Sequence, residues 1–196
     1  MELCHCWRVT ELSNRAGLSN REYTRLVEEE RYPEDPCVPL DEPFVNQAGS
    51  IVNLLLEKFT SAALIRSNAY AIRANHYHKT DWHYSLVVSG CIVYGWRPAG
   101  SRAVPEIRRF VEGQMFFSPP MVEHVMYFPV ESSFVTFARN VRDHESHEAD
   151  VVRVTPLLKA VWVPADGAFR ARLNEEAVDP AELSAHLARG GGGDIA

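Results

Sequence analysis

Residues 74–90 read "ANHYHKTDWHYSLVVSG", and three of the chain's eight histidines fall inside them: His76, His78 and His83. In a β-strand, residues i and i+2 point to the same face, so His76 and His78 send both rings to one side. The four residues "KTDW" leave room for a turn that returns His83 to the same place. Downstream, Pro119 and Pro120 force a bend at a strand start, and His124 follows in the apolar run "MVEHVMYF". A lone histidine is ordinarily a surface residue or a satisfied core group, and an isolated H-x-H pair says little. A buried imidazole needs a partner, however, and a shared metal ion supplies one. The four rings can converge only if the strands curl around a common interior, as in a small barrel.

The sequence on either side suits an all-β domain. Short runs rich in Val, Ile, Phe and Tyr alternate with turn signals: "SIVNLLLEKF", "AALIRSNAYAIRA", "YSLVVSGCIVYGW", "IRRFVEGQMFFS", "SSFVTFARNV" and "DVVRVTPL". Many short strands at this spacing predict an antiparallel sandwich or barrel. We divide the chain into a helical and extended segment at 1–43, the barrel at 44–163, and a C-terminal helix with a flexible tail at 164–196. Ser19 and Glu22 form a capping box that opens the first helix. "YPEDPCVPLDEP" reads as an extended connector. Asp179, Pro180 and Glu182 predict a second helix, stopped by Gly190.

With 196 residues and a net charge of −6, the chain is expected to be one domain with additions and no general nucleic-acid binder. No apolar run reaches membrane-spanning length, and no secretory signal precedes the polar N-terminus. The expected location is the cytoplasm, with Cys4, Cys6, Cys37 and Cys91 as reduced thiols. The C-x-C at 4–6 lacks a second pair and is read as ordinary sequence.

The histidine pattern resembles the cupin superfamily, whose motifs run G-x5-H-x-H-x(3,4)-E-x6-G and G-x5-P-x-G-x2-H-x3-N. Here the spacings are His76-x-His78-x4-His83-x6-Gly90 and Gly113-x5-Pro119-x-Met121-x2-His124, with 22 residues between the motifs. The resemblance covers roughly 44–155. It implies a cupin jelly-roll β-barrel holding one divalent transition metal on His76, His78 and His124, with His83 as a fourth ligand in place of the usual Glu. Tyr70, Met121 and Phe128 stand where the motifs have Gly, Gly and Asn. Imidazole ligands suit Fe, Zn, Ni, Mn or Cu better than Mg or Ca. A nearer similarity, in "NHYH" and "LVVSG", is to cupins of nucleotide-sugar and secondary-metabolite pathways.

Three functions follow as expectations. The first is a metal-dependent isomerase or epimerase acting on a small oxygenated, sugar-derived metabolite. The second is a mononuclear non-haem iron oxygenase, a dioxygenase of secondary metabolism. The third is a non-catalytic ligand-binding cupin. Tyr84 and Glu123 are the candidate acid–base residues, although alternation turns Tyr84 away from His83, and Asp81 and Glu123 are also candidates to fix imidazole tautomers. An anionic substrate would meet some of Arg73, Arg97, Arg102, Arg108 and Arg109, because guanidinium forks match carboxylate and phosphate. His144 and His147 are read as a polar loop at the barrel mouth. A homodimer is expected, since two-fold dimers are the commonest assembly.

Overall fold

The computed structural model describes residues 17–158, and beyond them the backbone of three strands. Cys4, Cys6 and the helix expected from Asp179 lie outside the described residues. The chain opens with α1 (Asn20–Glu28), then β1 (Cys37–Val38), β2 (Phe44–Asn46), β3 (Gly49–Ile51), β4 (Ser61–Ser67) and β5 (Ile72–His78). There follow β6 (His83–Ser89), β7 (Cys91–Pro98), β8 (Glu106–Val111), β9 (Met115–Ser118), β10 (Val122–Tyr127) and β11 (Ser132–Ala138). The last elements are α2 (His144–Asp150), β12 (Val151–Arg153), β13 (Val161–Ala165), β14 (Ala168–Leu173) and β15 (Glu176–Val178).

Two five-stranded antiparallel sheets form a sandwich, as the strand spacing predicts and the cupin resemblance implies. One has the order β1-β9-β6-β11-β4 and the other β12-β5-β10-β7-β8. Consecutive strands β5 and β6 lie in different sheets, so the turn at residues 79–82 crosses from one to the other. Alternation along each strand sorts side chains into two apolar layers. Val87, Ile92, Tyr94, Phe110, Phe116, Phe128 and Phe134 form one cluster. Trp82, Tyr84, Met115 and Phe117 form another with Tyr23 and Val27 of α1. In β9 the neighbours Phe116 and Phe117 therefore face opposite ways, the first to one cluster and the second toward the helix.

Three features differ from the sequence-based divisions. The connector contributes β1, whose Cys37 and Val38 pair with Phe116 and Met115 of β9, so the segment before residue 44 is stitched into the barrel. "SIVNLLLEKF" supplies only part of the β2–β3 hairpin and is otherwise irregular. The region placed in a C-terminal helix and tail includes β14 and β15, which join β13 in a separate three-stranded sheet. At the front, α1 forms as expected: Glu22 N donates to Ser19 Oγ at 3.3 Å and Ser19 N to Glu22 Oε2 at 2.9 Å.

Candidate metal centre

His76 and His78 sit on β5, and His124 on β10 lies directly opposite His76 in the antiparallel register. The register slips by one residue between His124 and Val125, so Asn75 is an extra residue on β5. This bulge is built from two consecutive left-handed residues, Ala74 (φ 71°) and Asn75 (φ 57°). Asn tolerates that conformation well, because its short polar side chain can bond locally. Here Asn75 Oδ1 accepts from Leu157 N at 3.0 Å and Asn75 O from Val154 N at 2.9 Å. Bulges re-aim the side chains beside them, and the one beside His76 is tied down by the chain after β12.

The nitrogen donors of His76, His78 and His124 lie within 4.8 Å of one another. Their ring centroids are 4.9 Å apart for His76 and His78, and 4.9 Å for His76 and His124. His78 and His124 are 1% and 2% exposed. His78 Nδ1 faces Asp150 Oδ2 at 3.0 Å. An ionised carboxylate only accepts, so Nδ1 carries the proton and the lone pair of His78 is on Nε2. Burial raises the Asp150 carboxyl, but bonds from Thr80, His78 and Asp81 outweigh it and hold the group below its ordinary value. His124 Nδ1 likewise donates to Val122 O at 3.1 Å, which leaves its Nε2 as an acceptor.

Burial is the main force that keeps these rings neutral, and their mutual repulsion adds to it. It pushes His76 down to about 2, His78 to about 4 and His124 to about 3. Neutral imidazole is the form that binds metal. The buried Nε2 of His78 has no hydrogen-bond partner among the described residues. An orphaned buried acceptor is uncommon, and a metal shared with His76 and His124 would satisfy it. The residues present therefore fit a transition-metal ion.

His83 begins β6, in the other sheet, with its ring 4.4 Å from that of His78. It belongs to a second donor group, His78, Asp81 and His83, not to the three-histidine group. Its Nε2 lies 2.8 Å from Asp81 Oδ2. Asp81 is 3% exposed and also accepts from Asn140 N through Oδ1 at 2.9 Å. The expected pairing of Asp81 with an imidazole is thus present, and His83 has only Nδ1 left as an acceptor.

The other candidates are placed elsewhere. Tyr84 is turned to the α1 side, where its hydroxyl donates to Glu57 Oε2 at 3.2 Å. Glu123 alternates with His124 and accepts from Arg97 Nε at 2.7 Å and from Gly100 N at 3.0 Å. Arg73 donates to Ser67 Oγ and to Arg66 O. Arg109 Nε contacts Cys91 Sγ at 2.9 Å, and Arg108 pairs with Asp35. Arg102 stands on an exposed loop.

What the sequence reading missed is α2. Its stretch "RDHESHEAD" is a capped helix, with Ser146 N donating to Asp143 Oδ1 at 3.0 Å. The helix lies along the turn between β5 and β6. Asp150 accepts from Thr80 N and Thr80 Oγ1, each at 2.8 Å, and from Asp81 N at 3.3 Å. His147 is thereby carried to the site, 5.6 Å from His78 and 6.2 Å from His76 between ring centroids. An Asp N-cap three residues ahead of Ser146 was the available signal.

No family model matches this sequence, and no curated protein matches it. Several solved structures are similar. The sugar 3,4-ketoisomerase QdtA from Thermoanaerobacterium thermosaccharolyticum, in complex with TDP, is 13% identical, with a TM-score of 0.47 over 58% of this chain and 83% of its own. The TDP-fucose-3,4-ketoisomerase WlaRA from Campylobacter jejuni is 9% identical, with a TM-score of 0.49 over 58% of this chain and 84% of its own. The dTDP-4-dehydrorhamnose 3,5-epimerase from Sulfolobus tokodaii is 12% identical, with a TM-score of 0.47 over 61% of this chain and 82% of its own. At these identities the likeness is one of fold.

Proposed function

We propose that the chain is a metal-dependent isomerase or epimerase of small oxygenated metabolites, sugar-derived ones in the first instance. The observation that carries the metal is the buried, unpartnered Nε2 of His78 beside two further neutral imidazoles. The reaction class rests on the motif resemblance to sugar-pathway cupins. His76, His78 and His124 would hold the ion, which when bound supplies a Lewis acid for a substrate oxygen.

The chain's own residues do the rest. Asp150 and the Val122 carbonyl fix the tautomers of His78 and His124. The two sheets bury the rings of His78 and His124. Isomerisation next to a carbonyl needs a base for a carbon-bound proton. Tyr84 and Glu123 are committed to Glu57 and Arg97. His83 is better suited: Asp81 accepts a hydrogen bond from its Nε2–H, and Nδ1 is left to accept the substrate's proton and return it. No helix among the described residues is long and apolar enough to cross a membrane, and a cytoplasmic location agrees with the metabolite class.

The test joins metal analysis of protein purified without chelator to an anaerobic assay of solvent deuterium uptake by a panel of keto sugars. Stoichiometric metal, with deuterium uptake lost on chelation and in His83→Gln, is the expected result. Oxygen consumption without deuterium uptake would instead establish the iron oxygenase. The 3.0 Å contact between Asp150 and His78 supports a second reading, in which this pair serves as an acid–base dyad without metal. Deuterium uptake that survives exhaustive chelation would select it.

A further inference from the structure

Arg142 sits between two anchors beside the imidazole cluster. On one side Asn140 is fastened to the β5–β6 turn, its N to Asp81 Oδ1 at 2.9 Å and its Nδ2 to Thr80 Oγ1 at 3.0 Å. On the other, Asp143 caps α2, whose His147 faces His76 and His78. This short span holds Arg142 half-buried, where its charge is felt by His147 and the charge of Asp81 is felt by it. Burial and then the Arg142 charge lower the His147 imidazole from its ordinary value. Burial also lowers Arg142 itself, while the Asp81 charge acts in the opposite sense.

Asp81 does not occupy the guanidinium. Its oxygens accept from His83 Nε2 and from Asn140 N, and neither accepts from Arg142. Among the described residues Arg142 has neither a hydrogen-bond nor an ion-pair partner. Arg73, Arg97, Arg108 and Arg109 are all engaged by protein atoms. A half-buried guanidinium presents up to five donors in a planar fork, and a carboxylate or phosphate fills that fork with two parallel bonds.

We propose that Arg142 anchors an anionic group, carboxylate or phosphate, of the metabolite held at the three imidazoles. This rests on the reading of those imidazoles as the reaction site. It narrows the substrate class to anionic metabolites, with the charged end under α2 and the reacting oxygen at the histidines.

The test is calorimetric titration of the full chain, apo and zinc-loaded, with acetate and with methyl phosphate at low ionic strength. Zinc content and melting temperature are measured in parallel. Wild-type protein should bind at least one of the two anions in the millimolar range, and the stronger arm identifies the group. Arg142→Gln should weaken that binding by about tenfold or more, since a charge-assisted hydrogen bond is being lost. Arg142→Lys should retain part of it, and Arg73→Gln should retain all. Zinc content should not change in any variant. Equal anion affinity in wild type and Arg142→Gln would overturn the proposal, as would loss of zinc in that variant or failure of wild type to bind either anion. If Arg142→Gln does not fold, unchanged affinity in Arg142→Lys overturns it instead, because the lysine keeps the charge but not the fork. If wild type holds no metal yet binds anion through Arg142, the metal reading falls and this one stands.

Discussion

Met121 and Tyr70 occupy two of the four positions where the cupin motifs place glycine, and both have left-handed backbones, φ 58° and φ 66°. The backbone that the motif requires is therefore kept without the residue that adopts it most easily. Met121 N donates to His78 O at 2.8 Å and Met121 O accepts from Ala99 N at 2.9 Å, so this conformation is pinned to the histidine strand. A side chain in that region costs about 1–2 kcal/mol, and glycine returns part of the relief as lost backbone entropy, about 0.5–1 kcal/mol. Met121→Gly should therefore raise stability by about 0.5 kcal/mol in urea denaturation. Met121→Val should lower it, because a β-branched residue tolerates positive φ poorly. A stabilised valine variant would contradict the strain assignment.

The imidazoles make a second prediction at this scale. Their folded-state values lie below the ordinary 6.5, so the native protein binds fewer protons than the unfolded chain as pH falls through 6.5. Stability of the metal-free protein is then present above that pH and is lost toward pH 4, by up to about 1.4 kcal/mol per pH unit for each imidazole. Denaturation midpoints that stay flat from pH 7 to 4.5 would show that the rings are not held neutral.

The histidines were readable because strand alternation and ligand geometry share one period, which made His76 and His78 legible as a pair. His124 was legible from the second motif. His83 was harder. Spacing brought it to the cluster, but its Nε2 is claimed by Asp81 two residues away, a local choice that no periodicity encodes. Arg142 and Asp150 were invisible for a different reason. Their relation to residues 78–81 spans roughly seventy positions and depends on how α2 lies across a turn.

At the level of elements, the site is a joint between the β5–β6 turn and α2. Asp150 serves both: one carboxylate receives the turn's amides and the His78 ring. Asp150→Asn keeps the shape but exchanges an acceptor for a donor if its amide faces His78. The His78 proton would then move to Nε2 and block the lone pair meant for metal. Metal affinity should fall by about 10–100-fold, read by competition with a chromophoric chelator, while far-ultraviolet circular dichroism is unchanged. Undiminished affinity would remove Asp150 from the site. The hinge between β6 and β7 is equally specific. At Gly90 (φ 83°) an added Cβ would lie 2.5 Å from Glu131 O and 2.8 Å from Ser132 Cα. The crowding and the positive φ together explain why this position takes glycine.

For the molecule as a whole, the β2–β3 hairpin is the part least provided for by the described residues. Phe44, Val45 and Ile51 are 63%, 70% and 62% exposed, and a two-stranded hairpin is marginal in water by itself. The homodimer expected from the sequence would give this hairpin a second surface to pack on. Light scattering at micromolar concentration should give twice the chain mass, and Phe44→Ser with Ile51→Ser should shift it toward the monomer. A monomeric mass for the wild type would refute the assembly.

The shared carboxylate of Asp150 also turns two ordinary peptide groups into reporters. The amides of Thr80 and Asp81 end on the same side chain that orients His78, so any event at that imidazole is felt by the amides of the turn, that of exposed Thr80 included. Their exchange with deuterated water should slow when zinc is added. Amides in β8, in the same sheet but remote from the histidines, should exchange at their old rate. The occupancy of a buried centre would then be audible at the protein's surface, amide by amide, with no substrate in hand.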